Sequence, residues 1–377
     1  MKPVYLDYNA TTPLHPEVAD AMEPYLREHF GNPSSSHWYG KQTRAAVENA
    51  RDQVAELLGC GVDEVTFTSG GSEANNLAIT GYALANRERG NHLITSVIEH
   101  PAVLEVCRFL ATHGVDVDYL PVDSHGRVNP DHVNDAIRPE TLLVSIMQAN
   151  NEVGTLQPVK EIAEIAHNAG AVLHTDSAQA AGKVPVTTEA TGADMISLAA
   201  HKFYAPKGVG ALYVRRGIRL HKLIHGADHE LNLRAGTENV LEIVGLGKAC
   251  ELVSQHQEQW RRHCAEMRDR LEGVLLQQFP DAKVNGDPDQ RLPNTLSISF
   301  PGISAQEIMA RAEEVACSAG AACHSEGVSM SHVLSAMNVP SEIAMGTLRL
   351  STGLFSSEEE VDRAARALVA AVGSLKG

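Results

Sequence analysis

Two charged residues in this chain of 377 residues stand just after short apolar runs. Asp176 follows Ala171-Val-Leu-His-Thr, and Lys202 follows Met195-Ile-Ser-Leu-Ala by way of Ala200 and His201. Unbroken apolar runs of this length read as strands buried on both faces of a parallel sheet. Open α/β sheets bind ligands outside the carboxyl ends of their strands, so the stretch from His174 to Lys202 would present an acid and an amine to one ligand. A carboxylate facing a ring nitrogen and a lysine able to condense with an aldehyde are what pyridoxal phosphate requires. The same two residues would equally serve as ordinary surface charges, and the choice rests on the rest of the chain.

Upstream, Glu64-Val-Thr-Phe-Thr reads as a strand, Ser69-Gly-Gly-Ser as a tight turn and Glu73 onward as a helix. Strand, glycine turn and helix make an anion cradle, because the free N–H groups and dipole of the first helical turn point at the turn. A plain capping turn with Ser72 as N-cap fits the same residues. His100 precedes Pro101, which favours the first position of a helix, so its imidazole is expected at a strand-to-helix junction on the ligand side of the sheet. Asn150-Asn151-Glu-Val-Gly ends another run at that edge, where an asparagine would bond a ligand or make an Asx turn.

These residues need a scaffold that brings strand ends together, and the pattern supplies one. Strands and helices alternate from residue 64 to 168, which predicts right-handed crossovers and a largely parallel sheet. The expected architecture is α/β, with a large cofactor-binding domain over residues 16–255 and a smaller α+β domain over residues 256–377. The turn-rich segment 1–15 has no core of its own and is expected to pack against the smaller domain. The polar stretch DAKVNGDPDQRLP reads as a break between units, and CSAGAACHSEG as a loop of small residues.

Composition narrows the partners. A formal net charge of −16 argues against a nucleic-acid groove or an anionic membrane surface, both of which need a positive patch. No apolar run approaches a membrane span and the first residues, MKPVYLDYNATTP, lack the regions of a signal peptide, so a cytoplasmic protein is expected. The 6 cysteines are scattered without zinc-type pairs, and His221, His225 and His229 read as solvated polar loop, so no metal is expected.

Taken in order, YLDYNATTP, SGGSEANN, EHPAV, NNEVG, HTDSAQ, AHKFYAPKG, RAGTENV and GAACHS resemble cysteine desulfurases and the related selenocysteine lyases. These form part of the class V aminotransferase branch of fold type I pyridoxal phosphate enzymes. The resemblance runs nearly the whole chain, and it implies roles residue by residue. Lys202 would hold the cofactor covalently and move the substrate's α-proton. Asp176 would keep the ring nitrogen protonated, Gln179 would bond the ring hydroxyl and His100 would stack on the ring. Gly71, Ser72 and His201 would meet the phosphate, with Thr237 reaching in from a second subunit of a homodimer. Asn151 and Arg349 would orient the substrate, L-cysteine or alternatively L-selenocysteine, and Cys323 would take the sulfur as a persulfide for an acceptor protein, as in iron–sulfur assembly. Cys317 is assigned to packing.

Some positions depart from that pattern. Gly226-Ala-Asp-His-Glu replaces a glycine-rich run, Ala199 stands where a phosphate-binding serine is common, and Leu354 replaces an arginine. The wording Ala-Ala-Cys-His-Ser is closer to selenocysteine lyases.

Overall fold

The computed structural model describes residues 2–324 and 327–377, without the side chains of residues 321–329. The first strand is β1 (Val4–Tyr5), followed by helices Pro16–Arg27 and Trp38–Leu58. The main sheet then takes β2 (Val65–Thr68), β3 (His92–Ser96), β4 (Asp116–Leu120), β5 (Thr141–Ser145), β6 (Val172–Asp176), β7 (Met195–Ala199) and β8 (Gly210–Val214). Its order is β2-β8-β7-β6-β5-β3-β4. The pairs from β4 through β7 are parallel, whereas β8 runs antiparallel to both neighbours. Because β2 and β7 each oppose β8, the carboxyl ends of β2, β3, β5, β6 and β7 share one edge.

All residues of β3, β5, β6 and β7 are buried, as expected of strands with helices on both faces. His174 lies in the middle of β6 yet breaks no rule. Its two ring nitrogens meet the hydroxyls of Ser145 at 2.8 Å and Ser197 at 2.9 Å, stitching β6 to both neighbours. Burial drives its pKa down to about 3, so the ring is neutral.

A second core forms around an antiparallel sheet built from β9 (Lys283–Asn285), β10 (Thr295–Ser299) and, after β11 (Val315–Ala316), from β12 (Ser318–Ala319). The hairpin of β13 (Ala321–His324) and β14 (Gly327–Met330) follows, and β15 (Thr347–Ser351) completes the sheet in the order β12-β15-β10-β9. Val4 and Leu6 pack into this core beside Leu296, Phe300 and Leu348. Helix Val240–Gln278 crosses residue 255 without a break. It gives Leu246, Val253 and Trp260 to the first core and Met267, Leu271 and Leu275 to the second.

Local expectations differ from the structure in three places. The helix after β2 begins at Gly71, with Gly70 as N-cap at φ 148°, so Ser72 is inside the first turn and is not the cap. Only glycine adopts that backbone readily, which is how the turn can close so early. The polar stretch after the long helix contains β9, and the small-residue segment after Ser318 is paired strand, with Cys323 opposite Val328.

Candidate active site

Local sequence places each group at the shared edge. β6 ends on Asp176, and β7 ends on Ala199, after which a single tight turn, Ala200–Lys202, swings the lysine back over the sheet. His100 caps helix Pro101–Ala111, its Nδ1 accepting from the Ala102 N–H at 3.1 Å, which fixes the ring at the head of that helix. Arg349 comes from β15 of the other core.

Together they line a cavity of about 310 Å³. It gathers Gly71, Ser72, His100, Asn151, Asp176, Gln179, His201, Lys202 and Arg349, nine of the positions read from sequence. Thr237 lies outside the cavity, exposed on its loop. The side chain of Cys323 lies outside the described residues.

The electrostatics suit a cationic ring at one end and an anion at the other. Asp176 is 5% exposed; one carboxylate oxygen accepts from Asn75 Nδ2 at 2.7 Å and the other from the Ala178 N–H at 2.9 Å. No basic side chain among the described residues pairs with it within ion-pair distance. A buried carboxylate needs a charged or hydrogen-bonding partner, and a protonated pyridine nitrogen in the cavity would be one. Asn75 Oδ1 is also buried and unpartnered.

Lys202 Nζ donates to the backbone oxygens of Asn9 and Ala10, both at 2.8 Å. Burial first, then the charge of Arg349, lower its pKa to about 8, against the opposing pull of Asp176 and Asp7. His201 is pushed down to about 4, by burial and then by neighbouring lysines, and its Nδ1 lies 3.1 Å from Thr11 Oγ1. A neutral imidazole so held is suited to present one N–H to an anion. His100 is exposed at the mouth, yet the protein around it lowers its pKa, with Lys202 and His332 adding to the effect and Asp176 opposing it.

The anion end is built from glycine. A Cβ at Gly71 would meet the Ala199 methyl at 3.0 Å, and nothing lies within 4 Å of one at Gly70, so the backbone of this turn is open to a close ligand. Helix Gly71–Ala85 aims its first N–H groups there. Cavity size, unpartnered acid, lowered lysine and helix terminus therefore fit pyridoxal phosphate.

At the other end Arg349 is held by three contacts. Nη1 donates to Asn151 O at 3.1 Å, and Nη2 to Asp7 Oδ1 at 2.9 Å and Ser318 Oγ at 3.0 Å. Its Nε is buried with no partner. Cys317 is unsuited to nucleophilic work, because burial raises its thiol to about 12. It packs against the second core.

Sequence reading missed Asn75, Asp7 and the Asn9–Ala10 carbonyls. Asn75 had a signal: it lies four residues after Gly71, on the same helix face as the anion turn. The carbonyls had none, since backbone contacts across 192 and 193 residues leave no mark in side-chain pattern. Among the described residues no group of three or more His, Cys, Asp or Glu is arranged to hold a metal ion, and no helix is long and apolar enough to cross a membrane.

Known proteins fall in line with this geometry. The aminotransferase class-V family matches residues 4–364. A cysteine desulfurase IscS of Dictyoglomus turgidum is 47% identical over 95% of this chain and 92% of its own. Among solved structures, a NifS-like protein superposes with a TM-score of 0.93 at 36% identity, covering 99% of this chain and 100% of its own. SspA, solved in complex with cysteine, gives a TM-score of 0.82 at 36% identity over 94% and 99% of the two chains.

Proposed function

This chain belongs to the aminotransferase class-V family, and from that premise we propose that it is a pyridoxal-phosphate-dependent cysteine desulfurase, converting L-cysteine to L-alanine and passing sulfur on as a persulfide of Cys323. The observation that carries the proposal is one cavity holding Asp176 without a basic partner, Lys202 with its pKa lowered to about 8, and Arg349 brought in from the other core. The cysteine desulfurase name of the bacterial relative and the cysteine in the SspA complex support the substrate.

When bound, pyridoxal phosphate supplies an electron sink for the pair left on the substrate's Cα. The chain does the rest. Gly71, Ser72 and His201 would hold the phosphate, Asp176 the ring-nitrogen proton and Gln179 the ring hydroxyl, and His100 would cover the ring face. Arg349 binds the substrate carboxylate, its planar fork fixing the direction of the Cα–H bond as a lysine's point charge would not. Lys202 would supply the amine that holds the cofactor and, once free, the base that removes the Cα proton. The Cys323 thiolate then attacks the substrate sulfur: an S–S bond forms, the Cβ–S bond breaks, and the electron pair stays with the substrate, which leaves as alanine after protonation.

The working form is read as a homodimer, with Thr237 completing a second copy's phosphate site. Exposed apolar residues around the start of helix Trp38–Leu58 support this: Phe30 is 80% exposed, Trp38 60% and Tyr39 49%. Such a patch marks an interface more often than a bare surface. The domain division at residue 255, a protein acceptor of iron–sulfur type and a cytoplasmic setting complete the reading. Five described cysteines, all free, fit a reducing compartment.

The test is direct. Purified protein mixed with L-cysteine should show a visible cofactor band, form alanine and carry sulfur on Cys323, and C323A should keep the band but lose alanine formation. A colourless protein overturns the cofactor; full activity in C323A overturns the persulfide route. Faster turnover of L-selenocysteine that survives in C323A would favour a selenocysteine lyase.

A further inference from the structure

Lys183 is a buried basic side chain near the cavity that the proposed reaction does not use. It is 8% exposed, and among the described residues no carboxylate pairs with it. Its Nζ donates to Gln179 Oε1 at 2.9 Å and to Gln179 O at 3.1 Å, four residues back in the turns after β6. Gln179 Nε2 in turn donates to Asn9 O at 2.9 Å. Burying a lysine costs several kcal/mol, far more than a stretch of core gains from a single chain of methylenes. A position so expensive to fill calls for something a leucine would not supply.

Chemistry identifies it. Burial, and then the charge of Lys202, lowers the Lys183 pKa to about 7; in its ammonium form the group donates and cannot accept, so it favours the oxygen end of the neighbouring amide. With Oε1 claimed by Lys183, the amide must turn Nε2 the other way. One of the two Nε2 hydrogens goes to Asn9 O, and the other is left for the cavity that Gln179 lines. Without Lys183, the Asn9 carbonyl alone would hold the amide against turning over and offering an acceptor to the cavity. We propose that Lys183 is a positioning residue that locks the Gln179 amide with its N–H toward the cofactor's ring oxygen. The inference rests on the pyridoxal phosphate reading above and adds a residue that never touches the cofactor.

A donor to the ring oxygen stabilises its ionised form, so losing the donor makes that oxygen hold a shared proton more tightly. The visible band of the loaded protein should then change colour at higher pH. In K183M the midpoint is expected to rise by about half a unit or more, the scale of one lost hydrogen bond to an ionised group. Q179L should raise it likewise, and the K183M/Q179L protein no further than the larger single change, because both act through one amide. Should K183M fail to fold, K183S, which leaves room for a water, is measured in its place. A titration that superimposes on wild type, or a K183M shift that adds in full to that of Q179L, overturns the inference. A wild type that takes up no pyridoxal phosphate sinks the cofactor reading itself; a coloured wild type with an unmoved variant sinks only this one.

Discussion

The lowered pKa of Lys202 should be measurable before any substrate is added. A lysine must be neutral to condense with an aldehyde. At pH 7 a lysine with a pKa of about 8 is neutral in roughly one molecule in ten, against roughly one in three thousand at the ordinary value of 10.5, an advantage of about 300-fold. Burial is the main cause and Arg349 the second, while Asp176 and Asp7 oppose them. Two substitutions should therefore move the group in opposite directions. R349Q removes a positive neighbour and should raise the pKa by roughly half a unit to one unit, the usual scale for one nearby charge. D7N removes a negative neighbour and should lower it by a smaller amount, since Asp7 ranks below Arg349 among the causes.

The assay is the initial rate of pyridoxal phosphate capture by cofactor-free protein from pH 6 to 10, read from the growing visible band and checked by borohydride trapping on Lys202. Wild type should reach half its limiting rate near pH 8, R349Q at higher pH and D7N at lower. A midpoint near the ordinary lysine value in wild type refutes the argument from burial. A midpoint unmoved by R349Q refutes the part assigned to Arg349.

Other outcomes follow from single contacts. In E230A, Arg51, 15% exposed, loses its bidentate partner and the Phe67 N–H its acceptor, so urea unfolding should show a loss of about 3–5 kcal/mol, largely recovered in E230A/R51M. Buried neutral His174 has a folded pKa of about 3 below its ordinary 6.5, so the unfolded chain binds a proton there that the folded chain refuses. Stability should thus fall by about 1.4 kcal/mol per unit as pH drops from 6.5 toward 3, and H174Q should flatten an acid-denaturation series in that window. Ala199 points its methyl at Gly71 in the anion turn, so A199S should add a hydroxyl donor and slow cofactor release by roughly 2- to 10-fold, timed by transfer to a scavenger.

Much of the site was legible because its residues sit where chain pattern is strongest. Asp176 and Lys202 end or follow runs buried on both faces, and such runs admit few other readings once alternation with helices fixes a parallel sheet. His100 was legible through Pro101, and the glycine turn through its neighbours. Thr237 was placed by resemblance alone, and on one chain it stands apart from the cavity. The hairpin of β13 and β14 escaped because Gly, Ala and Ser carry little strand preference; its pairing is a tertiary choice. The direction of β8 was not legible, since its apolar sequence marks a strand and says nothing of which way it runs.

The least legible part is what joins the halves. Lys202 and Gln179 belong to the large sheet and Arg349 to the small one, yet one substrate must meet both within a fraction of an ångström. The segment from Asp7 to Ala10 spans the gap. Asn9 O accepts from Lys202 and from Gln179, while Asn9 Nδ2 donates to Thr295 Oγ1 at 2.8 Å and Asn9 Oδ1 accepts from Asn294 at 3.0 Å. Two residues earlier, Asp7 holds the fork of Arg349. A segment with no core of its own thus fixes the distance between the amine that moves the proton and the cation that holds the carboxylate. Its hydrogen bonds are buried or partly buried, where each is harder to exchange for water. Such a bridge explains why a turn-rich stretch of polar residues is ordered at all: its order comes from the two bodies it aligns.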